Sequence, residues 1–228
     1  MAVLEAAEPE DVWERRRILV SLGIELAGLE LLSERGLDDV TVDQIATAAG
    51  ISTRTFFRYF RNSRDVLTAV PRRESRRMCR ALLARPVDES LLDGFHAWLS
   101  STYSAEGPLV VTGDFNIAPD DRDVWDADLW RGKNLASDPE RERIQDLLAW
   151  GLTDLGRAAA GDVTGPFAYW DYTAGAFHKG WGLRIDLALG TASVASRLDE
   201  VVVDREERKP STGEGKPSDH APVIVTLR

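Results

Sequence analysis

One change of texture, falling between Leu92 and Gly107, divides this chain into two unlike parts. Before it, apolar residues recur at Val20, Ile24, Ala27 and Leu31, the spacing of one helical face, and predict a helix from Val12 to Arg35 that Gly36 ends. Gly23 and Gly28 inside it each cost about 1 kcal/mol against alanine. Thr41 and Gln44 form a T-x-x-Q capping box, opening a short helix through Ala49 that Gly50 stops. Ser52 caps a third helix, Thr53 to Phe60. Asn62 or Ser63 caps a fourth, from Arg64 to about Leu83, which Pro71 should kink or split. Looser sequence begins at Pro86.

After the break come short β-branched or apolar runs bounded by Gly, Pro and Asp. Leu109–Thr112, Arg184–Leu189, Leu198–Asp204 and Pro222–Leu227 read as strands. One helix is expected between Pro139 and Trp150, with Ile144, Leu147 and Leu148 on its apolar side. Arg205–Lys216 reads as a polar loop. The expected architecture is α plus α/β: a helical domain over 12–88, a junction over 89–107, and an α/β domain over 108–228.

Charge is distributed as unevenly as texture. The net is −10, yet residues 52–80 carry nine arginines against Asp65 and Glu74. A local basic block in an acidic chain suits specific phosphate binding and argues against wholesale coating of nucleic acid. The single cysteine, Cys79, excludes an internal disulfide and a cysteine-based zinc site. No run approaches eighteen uncharged apolar residues and the first residues are acidic, so no spanning helix and no secretory signal is read. A cytoplasmic protein is expected, with no membrane or secreted partner.

Two short helices joined by a glycine-containing turn make the helix-turn-helix pattern. The second would present Thr53, Arg54, Thr55, Phe57, Arg58 and Tyr59, whose hydroxyl and guanidinium groups reach phosphates and base edges. Arg64, at the start of the next helix, could hold a backbone phosphate. Phe56 and Phe60 should pack inward. A small helical core with a solvated arginine face is the plainer reading of the same periodicity. The wording from Glu34 to Phe60, E-R-G-L-D-D-V-T-V-D-Q-I-A-T-A-A-G-I-S-T-R-T-F-F-R-Y-F, closely resembles the DNA-binding domain of TetR-type transcriptional repressors. The resemblance covers roughly residues 15–85. It implies that Thr53–Phe60 is a recognition helix for double-stranded DNA, with Thr41, Ser52, Tyr59 and Arg64 near the backbone. A homodimer would suit two half-sites about one DNA turn, roughly 34 Å, apart.

Four polar clusters accompany the strand-like runs: Gly113-Asp114-Phe115-Asn116, Tyr169-Trp170-Asp171-Tyr172, Leu183-Arg184-Ile185-Asp186-Leu187 and Ser218-Asp219-His220-Ala221-Pro222. A carboxylate can take a proton from water, an amide can hold a phosphate oxygen, and a histidine beside an acid can stabilise a pentavalent phosphorus. Singly each is weak, since G-D-x-N is often a turn. In this order they resemble the C-terminal half of exonuclease III-type, magnesium-dependent apurinic/apyrimidinic endonucleases, of the endonuclease/exonuclease/phosphatase superfamily, from about Pro108 to Arg228. The resemblance implies that Asp114 activates water, Asn116 holds the phosphate and His220 contacts it. It also implies that Asp186 orients His220, Asp219 helps bind Mg2+, and Trp170 and Leu183 line a pocket for an abasic sugar.

Such enzymes have two similar sheet-and-helix halves. The asparagine, the L-Q-E-type glutamate and the tyrosine of the first half have no counterpart in this sequence. The sequence therefore reads as a helix-turn-helix DNA-binding protein fused to an incomplete half of a four-layered α/β nuclease, not expected to cut alone. The alternative is a magnesium-dependent exodeoxyribonuclease III or AP endonuclease of DNA repair whose site is completed by oligomerisation or a partner.

Overall fold

A computed structural model describes residues 12–209 and 216–228. The chain separates into two compact units, Met1–Val87 and Asp88–Arg228. The first is helical: α1 (Val12–Arg35), α2 (Val42–Ala48), α3 (Thr53–Phe56) and α4 (Ser63–Leu83). Each stop and cap has a local cause. Gly36 adopts φ +83° as α1 ends, the left-handed conformation that glycine takes without a Cβ penalty. The Thr41–Gln44 capping box is formed in both directions, and Asn62 accepts from the Asp65 amide at 2.9 Å. Ile24, Leu32, Val40, Ile45, Ala46, Phe56, Phe60 and Val66 close the core of this unit.

Gly28, costly by helix propensity, lies where α1 meets α4. A Cβ there would stand 2.7 Å from Val66 Cγ1, so the helices approach too closely for any side chain. Gly23 faces open space, and nothing in the structure explains it. Across the same pair Arg73 Nη1 donates to the buried Glu25 carboxylate at 2.6 Å.

Two expectations for this unit are corrected. The helix expected over Thr53–Phe60 ends at Phe56 and continues as a turn, in which the Phe60 amide still bonds the Phe56 carbonyl at 3.0 Å. Helix α4 is not split at Pro71, because the flanking turns supply enough bonds to tolerate one missing donor.

The second unit opens with α5 (Leu91–Thr102), in sequence expected to be loose. Ser90 caps it, accepting from the Asp93 amide at 3.1 Å, and Phe95 and Leu99 are buried. It packs on α7 (Asp138–Trp150), where Arg143 pairs with Asp93 at 2.6 Å. The first sheet has β1 (Val110–Asp114), β3 (Asp186–Thr191) and β2 (Leu152–Asp154) in the order β1-β3-β2, all antiparallel. The second pairs β4 (Leu198–Val203) with β5 (Val223–Leu227).

Strand β2, only three residues long, carries no alternation that sequence could reveal. Short helices α6 (Ala127–Trp130), α8 (Leu155–Ala160), α9 (Ala176–Lys179) and α10 (Ala192–Ala195) fill the connections. One cluster, Leu155, Ala188 and Val194, joins β3 to α8 and α10 and to Val201 and Val225 of the two-stranded sheet. Central strand β3 is therefore buried along nearly its whole length. No helix among the described residues is long and apolar enough to cross a membrane.

Candidate active site

Antiparallel register brings the first two carboxylates together. Asp114, the last residue of β1, is the ladder partner of Asp186, the first residue of β3, and directly opposed side chains share one face of a sheet. The ladder continues past them, Phe115 donating its amide to Ile185 at 2.9 Å. The chain then turns sharply. Asn116 sits at φ +52°, a left-handed conformation that asparagine tolerates better than most residues, and its amide bonds Asp114 Oδ1 at 2.9 Å.

The third and fourth clusters are joined by the second. Tyr169 and Leu183 exchange two main-chain hydrogen bonds, at 2.9 and 3.0 Å. The Trp170 amide donates to the Asp219 carbonyl at 3.0 Å, and the Ala221 amide to the Ala168 carbonyl at 2.7 Å. Residues 168–170 thus lie between the approach to β3 and the loop before β5, setting His220 beside Asp186. His220 Nδ1 lies 2.8 Å from Asp186 Oδ2 and Nε2 lies 3.9 Å from Asp114 Oδ2. A carboxylate only accepts, so Nδ1 carries the proton in this bond and Nε2 is left toward Asp114. Burial, and then the charge of Asp114, hold the Asp186 carboxyl above the usual range against the opposing pull of His220.

Tyr169, named in the second polar cluster but given no role there, packs its ring against His220, with centroids 4.9 Å apart and the planes tilted by 54°. Burial first, and then the charges of Asp171, Asp219 and Asp114, push its phenol above its ordinary value, so at neutral pH it is a donor. Alternation away from Trp170 in the tight Tyr169–Asp171 segment was the available signal.

Trp170 and Leu183 are 2% and 1% exposed. Trp170 packs with Ala176, Phe177 and Ala221, and Leu183 with Ala118, Val124, Ala136 and Ile185. Neither lines an open pocket in this conformation, because the short loops that present Tyr169 and His220 need an apolar floor and these two supply it. Arg184, two residues from Asp186, is buried with Asp123 and Asp154, and the half-buried Arg157 joins them at Asp123. Its Nε bonds Asp123 at 2.6 Å, and Nη1 and Nη2 bond Asp154 at 3.0 and 2.8 Å. Burial works against the charge of Arg184, but the hydrogen bonds to Asp123 and Asp154 outweigh it and raise its pKa. The network fixes the approach to β3.

Among the described residues no three His, Cys, Asp or Glu side chains gather closely enough to hold a metal ion. Magnesium is commonly held by one or two carboxylates with waters and substrate phosphate in place of a full protein cage, and Asp219, beside the Trp170 amide, is a carboxylate that could meet it there. What these groups can do unaided is abstract a proton at Asp114, present an oriented imidazole at His220, and donate from Tyr169.

In the helical unit, many of the hydroxyls expected to meet DNA are engaged locally. Thr41 Oγ1 accepts from the Gln44 amide at 3.3 Å, Ser52 Oγ lies 2.9 Å from Thr55 Oγ1, and Thr53 Oγ1 donates to Asp43 at 2.6 Å. Arg54, Phe57 and Arg58 are exposed, Tyr59 is half-buried, and Arg64 pairs loosely with Asp38 at 3.4 Å.

Comparison with known proteins places this arrangement among nuclease folds. A 3'-5' exonuclease from Neisseria meningitidis superposes with a TM-score of 0.52 at 36% identity, over 60% of this chain and 50% of that one. A Neisseria 3' phosphatase bound to a product DNA hairpin gives 0.54 at 34% identity, over 65% and 58%. Exodeoxyribonuclease III of Haemophilus influenzae is 31% identical over 149 residues, 63% of this chain and 54% of that protein. The chain belongs to the Endonuclease/Exonuclease/phosphatase family, matched over residues 18–220. It spans about half the length of the curated relatives it matches. The match begins at Ile18 and not near Pro108, so the family span takes in the helical unit that texture had set apart. The likeness to TetR-type domains is carried by the wording of residues 34–60 alone.

Proposed function

We propose that the chain is a phosphodiester hydrolase acting on DNA, of the exonuclease III and AP endonuclease kind. The observation that carries this is the pairing of Asp186 with His220 at 2.8 Å beside Asp114. Asp114 takes a proton from the attacking water as the water oxygen bonds to phosphorus; the pentavalent centre then breaks its phosphorus–oxygen ester bond opposite the entering water, and the departing alkoxide takes a proton from solvent. Asn116 holds a phosphate oxygen, and His220, oriented by Asp186, faces the charge that accumulates on the pentavalent centre. Tyr169 donates to the same group. Trp170 and Leu183 act from beneath, as the floor of the sugar site.

The family is generally dependent on divalent metal. Magnesium is commonly held by only one or two protein carboxylates together with substrate phosphate, so Asp219 is the carboxylate proposed to meet an ion that arrives with DNA. The test is incision of a duplex carrying one abasic site by monodisperse protein, with magnesium and then with chelator. Magnesium-dependent cutting, lost in both Asp114→Asn and His220→Ala, is expected. Folded protein that does not cut would return the chain to the reading of a DNA-binding protein with an inert second unit.

A second reading accompanies the first because Arg54, Phe57 and Arg58 stand exposed after a well-capped turn. These residues, with Thr41, Ser52, Thr53, Thr55, Tyr59 and Arg64 around them, are proposed to hold double-stranded DNA. Duplex binding in chelator should weaken in Arg54→Ala and Arg58→Ala. Unchanged binding in both would remove the helical unit from DNA recognition.

A further inference from the structure

The second unit contains a buried guanidinium with no carboxylate partner among the described residues. Arg208 is 6% exposed, its Nε is buried with no hydrogen-bond partner, and its Nη2 reaches only the Trp170 carbonyl at 3.4 Å. Among the described residues no carboxylate pairs with it. Two aromatic faces compensate in part, Tyr172 at 4.9 Å and Phe177 at 5.2 Å from its Cζ. Burying an ionised group is costly unless it is paired, and arginine does not escape by losing its proton.

Two further cations share the same rings. Lys216 Nζ lies 3.3 Å over Tyr172, and Arg205 Cζ lies 4.8 Å from Phe177. Arg205 spends Nη2 on the Phe177 carbonyl at 2.9 Å, and no ion pair joins either Arg205 or Lys216 to a carboxylate among the described residues. The neighbouring Glu206 is held by Lys209 at 2.7 Å. Asp171 feels the charge of Lys216 without an ion pair forming; three cations interleaved with two aromatic rings, one of them buried with no carboxylate partner among the described residues, make a site that can take an anion.

We infer that Arg208, Lys216 and Arg205, with Tyr172, bind a phosphate group of the nucleic acid beside the one that is cut. This rests on the nuclease reading for the identity of the ligand, though not for its charge. Lys216 is four residues from His220 in sequence, a span of at most about 14 Å of extended chain. The Trp170 main chain ties both together, its carbonyl to Arg208 and its amide to Asp219. A strand seated with one phosphate at His220 therefore brings a neighbouring phosphate within reach of the cluster.

The test has two arms. In the first, inorganic phosphate is titrated against wild type, Arg208→Gln and Lys216→Gln, with thermal midpoint as readout and sodium chloride at equal ionic strength as control. Phosphate should raise the wild-type midpoint, since a ligand of the folded state alone stabilises it, and the rise should be lost in Lys216→Gln, which is exposed enough to substitute without disturbing the fold. No rise in wild type, or an equal rise in Lys216→Gln, would overturn the site. In the second arm, duplex binding in chelator is measured against salt concentration. Each lost phosphate contact lowers the slope of log K against log salt by about 0.9, so Lys216→Gln should lower it by roughly that amount while Arg131→Gln should not. An unchanged slope with phosphate stabilisation intact would assign the cluster to free phosphate and overturn the nucleic-acid assignment. Failure of incision with both arms positive would count against the nuclease reading and leave the phosphate site standing.

Discussion

Asp186 is held where function and stability conflict. Its carboxyl is raised above the ordinary value by burial and by Asp114, so the folded state holds its proton more tightly than the unfolded chain does. The associated stabilisation is present at low pH and is lost as pH rises through the folded pKa. At neutral pH, Asp186→Asn should therefore fold at least as stably as wild type in urea titrations, while incision falls by about 10²–10⁴-fold, the usual worth of an oriented acid–base group. A variant that lost stability and kept activity would remove Asp186 from the site. Under the proposed hydrolysis, the same shift should set the acid limb of the rate profile. Protonation of Asp186 releases His220, so activity should fall with decreasing pH earlier than an unperturbed aspartate, near 3.9, would give. A pH–rate profile of wild type against Asp186→Asn checks this, the variant having lost that limb.

At the scale of elements, close approach and buried charge decide the packing. Gly28→Ala must push Val66 Cγ1 away from 2.7 Å. Overpacking of this kind costs about 1–3 kcal/mol, which exceeds the roughly 1 kcal/mol gained in helix propensity. Gly23→Ala meets nothing and should be stabilising by up to about 1 kcal/mol. Urea titration of the two variants should give opposite signs. In the second unit, Arg184→Met would leave Asp123 and Asp154, 0% and 9% exposed, without their shared partner. Breaking a buried pair from one side costs about 3–5 kcal/mol, so a large fall in the denaturation midpoint is expected. An effect below 1 kcal/mol would show that Arg157 alone satisfies Asp123.

The elements also show what could be read in advance. The capping box at Thr41 and Gln44, the Ser52 cap and the strands at Leu198 and Val223 are local events, written in residues three or fewer apart or in short β-branched runs. Helix α5 was missed because Pro86 and the flanking polar residues suggested loose chain, while Phe95 and Leu99 gain their meaning only by packing on α7. Strand β2 owes its existence to β3.

At the scale of the whole chain, charge separates the roles. A net of −10 with a strongly basic stretch over 52–80 should confine DNA affinity to particular surfaces. Duplex binding in chelator is expected to fall steeply with salt, and to fall less steeply once Arg54 and Arg58 are both replaced by Ala. Binding that ignored salt would exclude phosphate contact by either unit. The four polar clusters named Asp114, Asn116, Asp186, Asp219 and His220 because each motif is a short contiguous word. The sequence by itself determined which side chains were available and where helices start and stop, since caps, glycine stops and alternation act over a few residues. Only tertiary structure decided that Asp114 opposes Asp186, that Tyr169 packs on His220, that Trp170 and Leu183 are buried, and that Arg208 is buried with no carboxylate partner among the described residues. Those facts depend on register between strands 70 residues or more apart and on burial, which no local pattern encodes.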